Sequence, residues 1–89
     1  MYVIATSVGI EKGIHARPSA RVVEYVLGQE DIRAWIEYPE GNTTARADSV
    51  VELLMLGAPY GKTVVVKAEG KHEKEVALYI ADILKNFHI

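Results

Sequence analysis

The chain has 89 residues, the length of one domain with a single modest core, and 49% of them are hydrophobic while 25% are charged. This balance is typical of a soluble globular protein and excludes a disordered chain. The formal net charge is −2 without a basic cluster, which argues against a nucleic-acid partner, and the lack of Cys excludes disulfides and thiolate metal sites.

Membrane, export and metal signals are missing as well. No apolar run approaches the roughly 20 residues that span a bilayer, so we expect no direct membrane insertion. The N-terminal residues MYVIATSV lack the basic start and the cleavage site of a signal peptide, which predicts a cytoplasmic protein. His15, His72 and His88 show no metal-ligand spacing, so neither a metal nor another cofactor is predicted.

The first predicted elements are a strand and a helix. Residues 2–8 are rich in β-branched and aromatic side chains, which predicts a strand. Residues 18–27 are predicted to form a helix with Gly28 as its C′ terminator. The core stripe of this helix is predicted from small and apolar residues at helical spacing, namely Ala20, Val23, Val26 and Leu27.

Three further strands are predicted. Apolar and polar residues alternate over 32–38, which indicates a half-buried strand. The turn sequence PEGN at 39–42 then predicts a hairpin whose second strand is 43–47. Residues 63–69 form an alternating strand that is apolar enough to lie in the centre of a sheet.

Two more helices complete the pattern. Ser49 followed by Glu52 is a capping-box sequence, which predicts Ser49 as the N-cap of a short helix that Gly57 ends. The last helix lies between His72 and His88, which are interpreted as surface or capping residues. Its apolar face is predicted from Val76, Ile80, Ile83, Leu84 and Phe87.

The element order is therefore β-α-β-β-α-β-α, which predicts an α+β fold. Half-buried strands and amphipathic helices cover each other's apolar faces, so an antiparallel sheet with its helices packed on one side is expected. A right-handed crossover would carry the first helix over the sheet.

The octapeptide GIHARPSA at 13–20 carries the strongest functional signal. Pro18 favours a helix start, because its fixed φ suits the helix and its missing N–H would lack a partner there anyway. The amides of Ala16 and Arg17 are then predicted to be free at the positive end of the helix, which is a ready anion site. His15 lies at its edge and could accept a phosphoryl group. The alternative is an ordinary capping or surface histidine.

The string G-I-H-A-R-P resembles the active-site motif of the HPr family of histidine phosphocarriers, and the whole chain can be laid along that family. The resemblance implies one HPr-like domain over residues 1–89. It also implies an open-faced β-sandwich with a four-stranded antiparallel sheet in the order 1-4-2-3 and three helices on one face. The protein is expected to be a monomer.

The resemblance implies a relay and not a turnover enzyme in the usual sense. In the sugar phosphotransferase system, enzyme I takes phosphate from phosphoenolpyruvate and passes it to the histidine at the position of His15, which passes it to an enzyme IIA. In the family Nδ1 carries the phosphate. Arg17 and the Ala16 and Arg17 amides would neutralise the charge in transfer. Lys12 stands near the phosphate position, where the family often has a small polar residue, and would add positive charge.

The resemblance also implies a surface for these partners. Val50, Val51 and Leu54 on the second helix match a shallow apolar patch of the family, the alternative being core burial. Glu24 and Leu27 on the first helix stand where many family members have polar or basic groups. Electrostatic steering towards an acidic partner is therefore expected to be weaker.

Ser49 aligns with a serine that a dedicated kinase and phosphorylase modify in many relatives, which turns the carrier into a partner of a transcriptional regulator. An N-cap alone also explains a serine there. Asp48 and Glu52 depart from the basic and small residues of those relatives, which argues against the kinase.

Two other functions stay open. A regulatory paralogue, of the nitrogen-related or catabolite-repression type, would keep His15 and act by binding a target protein. A small-molecule-binding regulatory domain of the ferredoxin-like type shares the size and the alternation of strands and helices, but leaves the HARP string as a coincidence.

Overall fold

The computed structural model describes residues 1–87, and it contains four strands and three helices in the predicted order. The elements are β1 (Tyr2–Ser7), α1 (Ala16–Leu27), β2 (Ile32–Tyr38), β3 (Thr43–Arg46), α2 (Val50–Met55), β4 (Thr63–Gly70) and α3 (Glu73–Asn86).

The strands form one antiparallel sheet in the order β1-β4-β2-β3, as expected. β4 is central, and Val66 pairs with Ile4 on one side and Ile36 on the other. Tyr38 pairs with Thr43 across the turn, which confirms the predicted hairpin.

Alternation along the strands gives the sheet one buried and one open face. On β2, Ala34 and Ile36 are buried while Arg33 is exposed. All three helices cover the buried face, and one core cluster joins them to it. Its fully enclosed larger side chains include Val22, Ile36, Leu53, Val64, Val66, Val76, Ile80 and Leu84. The fold is therefore the expected open-faced sandwich.

Helix α1 ends at Leu27, as predicted, but its first residue and the conformation of Gly28 differ from the prediction. It begins at Ala16, two residues before Pro18, because the Ser19 N–H donates to the His15 carbonyl (3.1 Å) and closes a turn there. Pro18 occupies the third helical position, where its missing N–H still has no intrahelical partner to lose. Gly28 ends the helix as its C-cap in the right-handed conformation (φ −80°) and not as a left-handed C′ residue.

The predicted core stripe of α1 is also partly wrong. Ala20 and Leu27 are exposed and Val23 is half-buried, so Val26 is the one stripe residue that is buried. The buried face consists of Pro18, Ser19, Val22 and Val26. Hydropathy spacing missed this face because a small, polar Ser19 takes part in it.

Ser49 is the N-cap of α2, as predicted, and its Oγ accepts a hydrogen bond from the Glu52 N–H (3.2 Å). The return bond of a capping box is not formed. The Glu52 carboxylate accepts instead from the Arg46 N–H (3.0 Å), and the Ser49 N–H donates to the Arg46 carbonyl (3.3 Å). Gly57, with φ +75°, follows the last turn.

Helix α3 has His72 as its N-cap, in the left-handed conformation (φ 57°) and without a capping side-chain bond. Val76, Ile80, Ile83 and Leu84 are buried, and Phe87 is half-buried. The prediction for His88 lies outside the described residues. None of the described helices is long and apolar enough to cross a membrane.

Candidate functional site

His15 is the N-cap residue of α1, and its side chain makes no capping bond. Its backbone is extended (φ −95°, ψ −170°), its N–H donates to the Gly13 carbonyl (3.0 Å) and its carbonyl accepts from Ser19. The main chain therefore fixes the residue from both sides, while the imidazole is half-buried at the helix start.

Two glycines allow the loop that precedes His15 to pack closely against other segments. The Gly9 N–H donates to the Leu84 carbonyl (3.0 Å), and a Cβ at Gly9 would collide with the carbonyl of Lys85 at the end of α3. Gly13 has φ +73° and approaches the Ala58 carbonyl so closely that a Cβ would stand 3.2 Å from it. A side chain at position 9 would clash, and position 13 needs a positive φ as well as space, so glycine is required at both.

The loop buries its apolar side chains and exposes its charged ones. Ile10 and Ile14 belong to the core, whereas Glu11 and Lys12 are exposed. The Gly61 N–H donates to the Val8 carbonyl (2.8 Å), so a second loop supports the first. Lys12 thus stays on the surface of an anchored loop.

The start of α1 presents amides without acceptors. Within residues 1–87 the N–H groups of Ala16 and Arg17 have no backbone or side-chain acceptor, and Pro18 has no N–H. The first turn holds no acidic residue. The Arg17 guanidinium is exposed and forms no ion pair with an acidic residue in this part of the chain. Amides, helix dipole and guanidinium together favour an anion here.

The two nitrogens of the His15 ring are not equivalent. Nε2 is buried and has no hydrogen-bond partner within residues 1–87. Nδ1 is not among the buried atoms that lack a hydrogen-bond partner, and no described side chain forms a hydrogen bond with it. The burial of Nε2 leaves Nδ1 as the candidate nitrogen for an incoming group.

An exposed apolar surface lies on α2. Leu53 and Leu56 fill the core, while Val51 is 65% exposed and Leu54 45%. Val50 is half-buried. The predicted surface residues are thus accessible.

Met55 extends this surface, with 75% of it exposed, and the sequence prediction missed it. Its spacing of four residues from Val51 could have identified it, because such residues share a helix face. Tyr60, in the loop that supports Gly13, is also exposed. On α1, both Glu24 and Leu27 are exposed.

Ser49 and His15 lie at opposite ends of α1. The α2 C-terminus leads into Ala58, which contacts Gly13 beside His15. Asp48, at the other end of α2, lines a cavity with Val26 near the end of α1. Ten residues of helix separate Ala16 from Val26, which is on the order of 15 Å. The structure does not bring Ser49 to the anion site.

The metal prediction can be compared only with the described residues. Within residues 1–87 no group of three or more His, Asp or Glu side chains could hold a metal ion.

Comparison with known proteins addresses the family directly. Residues 4–86 match the model of the family described as the PTS HPr component phosphorylation site. The phosphocarrier protein NPr of Escherichia coli K12 is 40% identical over 63 residues, which cover 71% of this chain and 68% of the relative. The phosphocarrier protein HPr of Chlamydia muridarum is 34% identical over 74 residues, 83% of this chain and 68% of the relative.

Solved structures agree with these relatives. The crystal structure of HPr-C-His from Thermoanaerobacter tengcongensis superposes with a TM-score of 0.81 at 27% identity, covering 96% of this chain and 92% of that one. A phosphocarrier protein HPr from Bacillus anthracis gives 0.83 at 22% identity over 93% and 95%, which supports the fold alone. With the family model spanning nearly the whole described chain, the protein belongs to the HPr family of phosphocarrier proteins.

Proposed function

We propose that this phosphocarrier receives a phosphoryl group on His15 from phosphorylated enzyme I and passes it to an enzyme IIA of the bacterial sugar phosphotransferase system. The observation that carries the proposal is the anion site at the start of α1, where two amides without acceptors among residues 1–87 stand next to an imidazole. In this proposal the chain acts in the cytoplasm as a monomer with one HPr-like domain.

The transfer step needs a nucleophile and a way to neutralise charge. The Nδ1 lone pair of His15 attacks phosphorus, and the bond between phosphorus and the donor atom of enzyme I breaks with its electrons staying on that donor. Charge spreads over three equatorial oxygens in flight. The Ala16 and Arg17 amides and the Arg17 guanidinium stabilise it, because preorganised donors act most strongly on charge that develops in the transition state. Lys12 adds positive charge at longer range.

The second transfer is the reverse of the first with a different protein. The acceptor atom of enzyme IIA attacks phosphorus, the bond to Nδ1 breaks and the imidazole recovers its electron pair. The carrier returns unchanged, which is why it acts as a relay.

The apolar surface of α2 supports docking of both partners. Val51, Leu54 and Met55 expose apolar side chains that are not part of the core. Exposed apolar patches of this kind commonly mark protein interfaces. Val50, Glu24 and Leu27 would border the contact.

A regulatory paralogue of the nitrogen-related type is the second candidate. The 40% identity to a protein named NPr, compared with 34% to one named HPr, favours it. It would use the same phosphohistidine at His15 but would act by binding a target protein.

Regulation at Ser49 by a serine kinase and phosphorylase, with binding of a transcriptional regulator, is a further element of the proposal. The hydroxyl is already engaged as a cap, 3.2 Å from the Glu52 N–H. This bond uses one of the two lone pairs of Oγ and leaves the other for phosphorylation.

Phosphorylation with purified enzyme I and phosphoenolpyruvate, followed by intact mass, tests the relay. We expect one phosphoryl group on the wild type, stable in base and labile in acid. His15→Ala should abolish it, whereas His72→Ala serves as the matched control and should keep it. Phosphate on His15→Ala would refute the proposed acceptor.

A competition experiment distinguishes a carrier of the sugar system from a nitrogen-related paralogue. The phosphorylated carrier is mixed with equal amounts of a sugar-type and a nitrogen-type enzyme IIA, and the phosphate is followed on each. Faster transfer to the sugar-type acceptor supports the sugar system, and the opposite order supports the paralogue.

A further inference from the structure

Two buried side-chain polar atoms in residues 1–87 lack a hydrogen-bond partner, and both lie in the first turn of α1. They are Nε2 of His15 and Oγ of Ser19. Ser19 is fully buried (0% exposed), so water does not replace the missing partner on its surface. Buried polar groups are nearly always paired in folded proteins, and each exception calls for an explanation.

The two residues are close neighbours on the helix. The Ser19 N–H donates to the His15 carbonyl at 3.1 Å, so one turn separates them. Helical side chains lean towards the N-terminus, which directs the Ser19 hydroxyl towards the turn that holds His15. A helical serine often bonds the carbonyl four residues earlier. Ser19 does not, and its hydroxyl remains available.

We infer that Ser19 is a positioning residue for His15, whose Nε2–H donates a hydrogen bond to the Ser19 Oγ when the imidazole receives the phosphoryl group. This inference rests on the proposed function, in which Nδ1 is the nucleophile. The structure shows the two atoms unbonded, so a rotation of the ring or of the hydroxyl has to form the bond, and we expect the free protein to exchange between the two arrangements. Such bonds are often misaligned in free enzymes and tighten in the reacting complex.

The chemical reason lies in the tautomers of imidazole. A neutral ring carries one proton, so Nδ1 has a free lone pair only when that proton is on Nε2. An acceptor at Nε2 therefore selects the reactive tautomer, which is the role that an orienting group plays for the histidine in catalytic triads. No described group competes with Ser19 by already bonding Nε2.

The test compares Ser19→Ala with the wild type in three measurements: the tautomer fraction of His15 from its ring ¹⁵N shifts, the rate of transfer from enzyme I, and the melting temperature. Thr44→Ala is the matched control, since it removes an exposed hydroxyl on β3, away from His15.

We expect Ser19→Ala to lower the Nε2–H tautomer fraction and to slow transfer by roughly two- to tenfold, the worth of one neutral hydrogen bond. Its melting temperature should be equal or higher, because the lost hydroxyl was unpaired. Thr44→Ala should change none of the three.

An unchanged tautomer fraction in Ser19→Ala would overturn the inference, and so would a changed tautomer fraction with an unchanged transfer rate. The tautomer measurement needs no phosphorylation. If Ser19→Ala shifts the tautomers but the wild type takes no phosphate on His15, the proposed function fails while the hydrogen bond stands.

Discussion

Arg17 shows what a single side chain contributes to the site. It occupies the second position of α1 with its guanidinium in solvent, and no acidic residue among the described ones pairs with it. An exposed residue without partners adds little to the free energy of unfolding. Its role should therefore be to stabilise charge during transfer.

Arg17→Ala should reduce the rate of phosphoryl transfer by about 10²-fold or more, in the range seen when one electrostatic contact to a transition state is removed. The melting temperature should hardly change. Rapid-quench transfer from enzyme I and thermal unfolding measure the two quantities. Arg33→Ala, which removes an exposed arginine from β2, is the control. Normal transfer with a large loss of stability would make Arg17 a structural residue.

At this scale the sequence predicted the backbone geometry of the candidate site but not its atomic detail. The spacing of His15, Arg17 and Pro18 was enough to expect a histidine beside free amides. The burial of Nε2 was not predictable, because side-chain burial depends on contacts with segments that are distant in the sequence, such as those of Gly9 with Lys85 and of Gly13 with Ala58. Local sequence carries no information about those contacts.

Among the elements, α2 depends on its cap. Ser49 satisfies the Glu52 N–H, whereas the Glu52 carboxylate bonds Arg46 and ties the helix to β3. Ser49→Ala should lower the free energy of unfolding by about 0.5–2 kcal/mol. Ser49→Asp should be nearly neutral, because a carboxylate also caps and suits the helix dipole. Urea denaturation of the three proteins measures both effects. Equal stability of Ser49→Ala and the wild type would show that the cap contributes nothing.

The same Ser49→Asp change should slow transfer from enzyme I. It places negative charge at the start of α2, beside Val50 and Val51, and repels an acidic partner. Because Ser49 lies far from His15, we expect weaker docking, with a higher half-saturating concentration of carrier and an unchanged rate at saturation. Wild-type kinetics would place the docking surface elsewhere.

Helices α1 and α3 are joined by an aromatic stack. The rings of Tyr25 and Tyr79 lie 3.9 Å apart at 13°, and the Arg21 guanidinium donates to the Tyr79 hydroxyl (3.2 Å). A double-mutant cycle of Tyr25→Ala and Tyr79→Ala should give a coupling of about 0.5–1.5 kcal/mol in the free energy of unfolding. If the effects of the two single substitutions on the free energy of unfolding are additive, the contact between the rings contributes nothing beyond the burial of each ring.

Element types were predictable from periodicity, and their exact limits were not. The apolar spacing of α3 identified its buried face, because four of its five marker residues are buried and three of them, Val76, Ile80 and Leu84, are fully enclosed. The face of α1 was missed where a serine is buried and a leucine is exposed. Tertiary contacts decide such positions, and hydropathy does not register them.

At the scale of the whole molecule, the order of the strands depends on pairing between segments that are far apart in the sequence. β1 and β4 pair although more than fifty residues separate them, and alternation alone cannot show that. The family resemblance supplied the order 1-4-2-3, and the structure confirms it. The fold then brings the start of α1 and the end of α2 to one side, since Gly13 before His15 lies against Ala58 just after α2.

The central claim is that the start of α1 carries a phosphoryl group on one particular nitrogen of His15. The most direct measurement is a long-range ¹H–¹⁵N correlation spectrum of ¹⁵N-labelled protein after reaction with enzyme I and phosphoenolpyruvate. Because Nε2 is buried, we expect the phosphorus coupling and the large shift change on Nδ1 of His15. Phosphate on Nε2, on another histidine or on none of them would contradict the account.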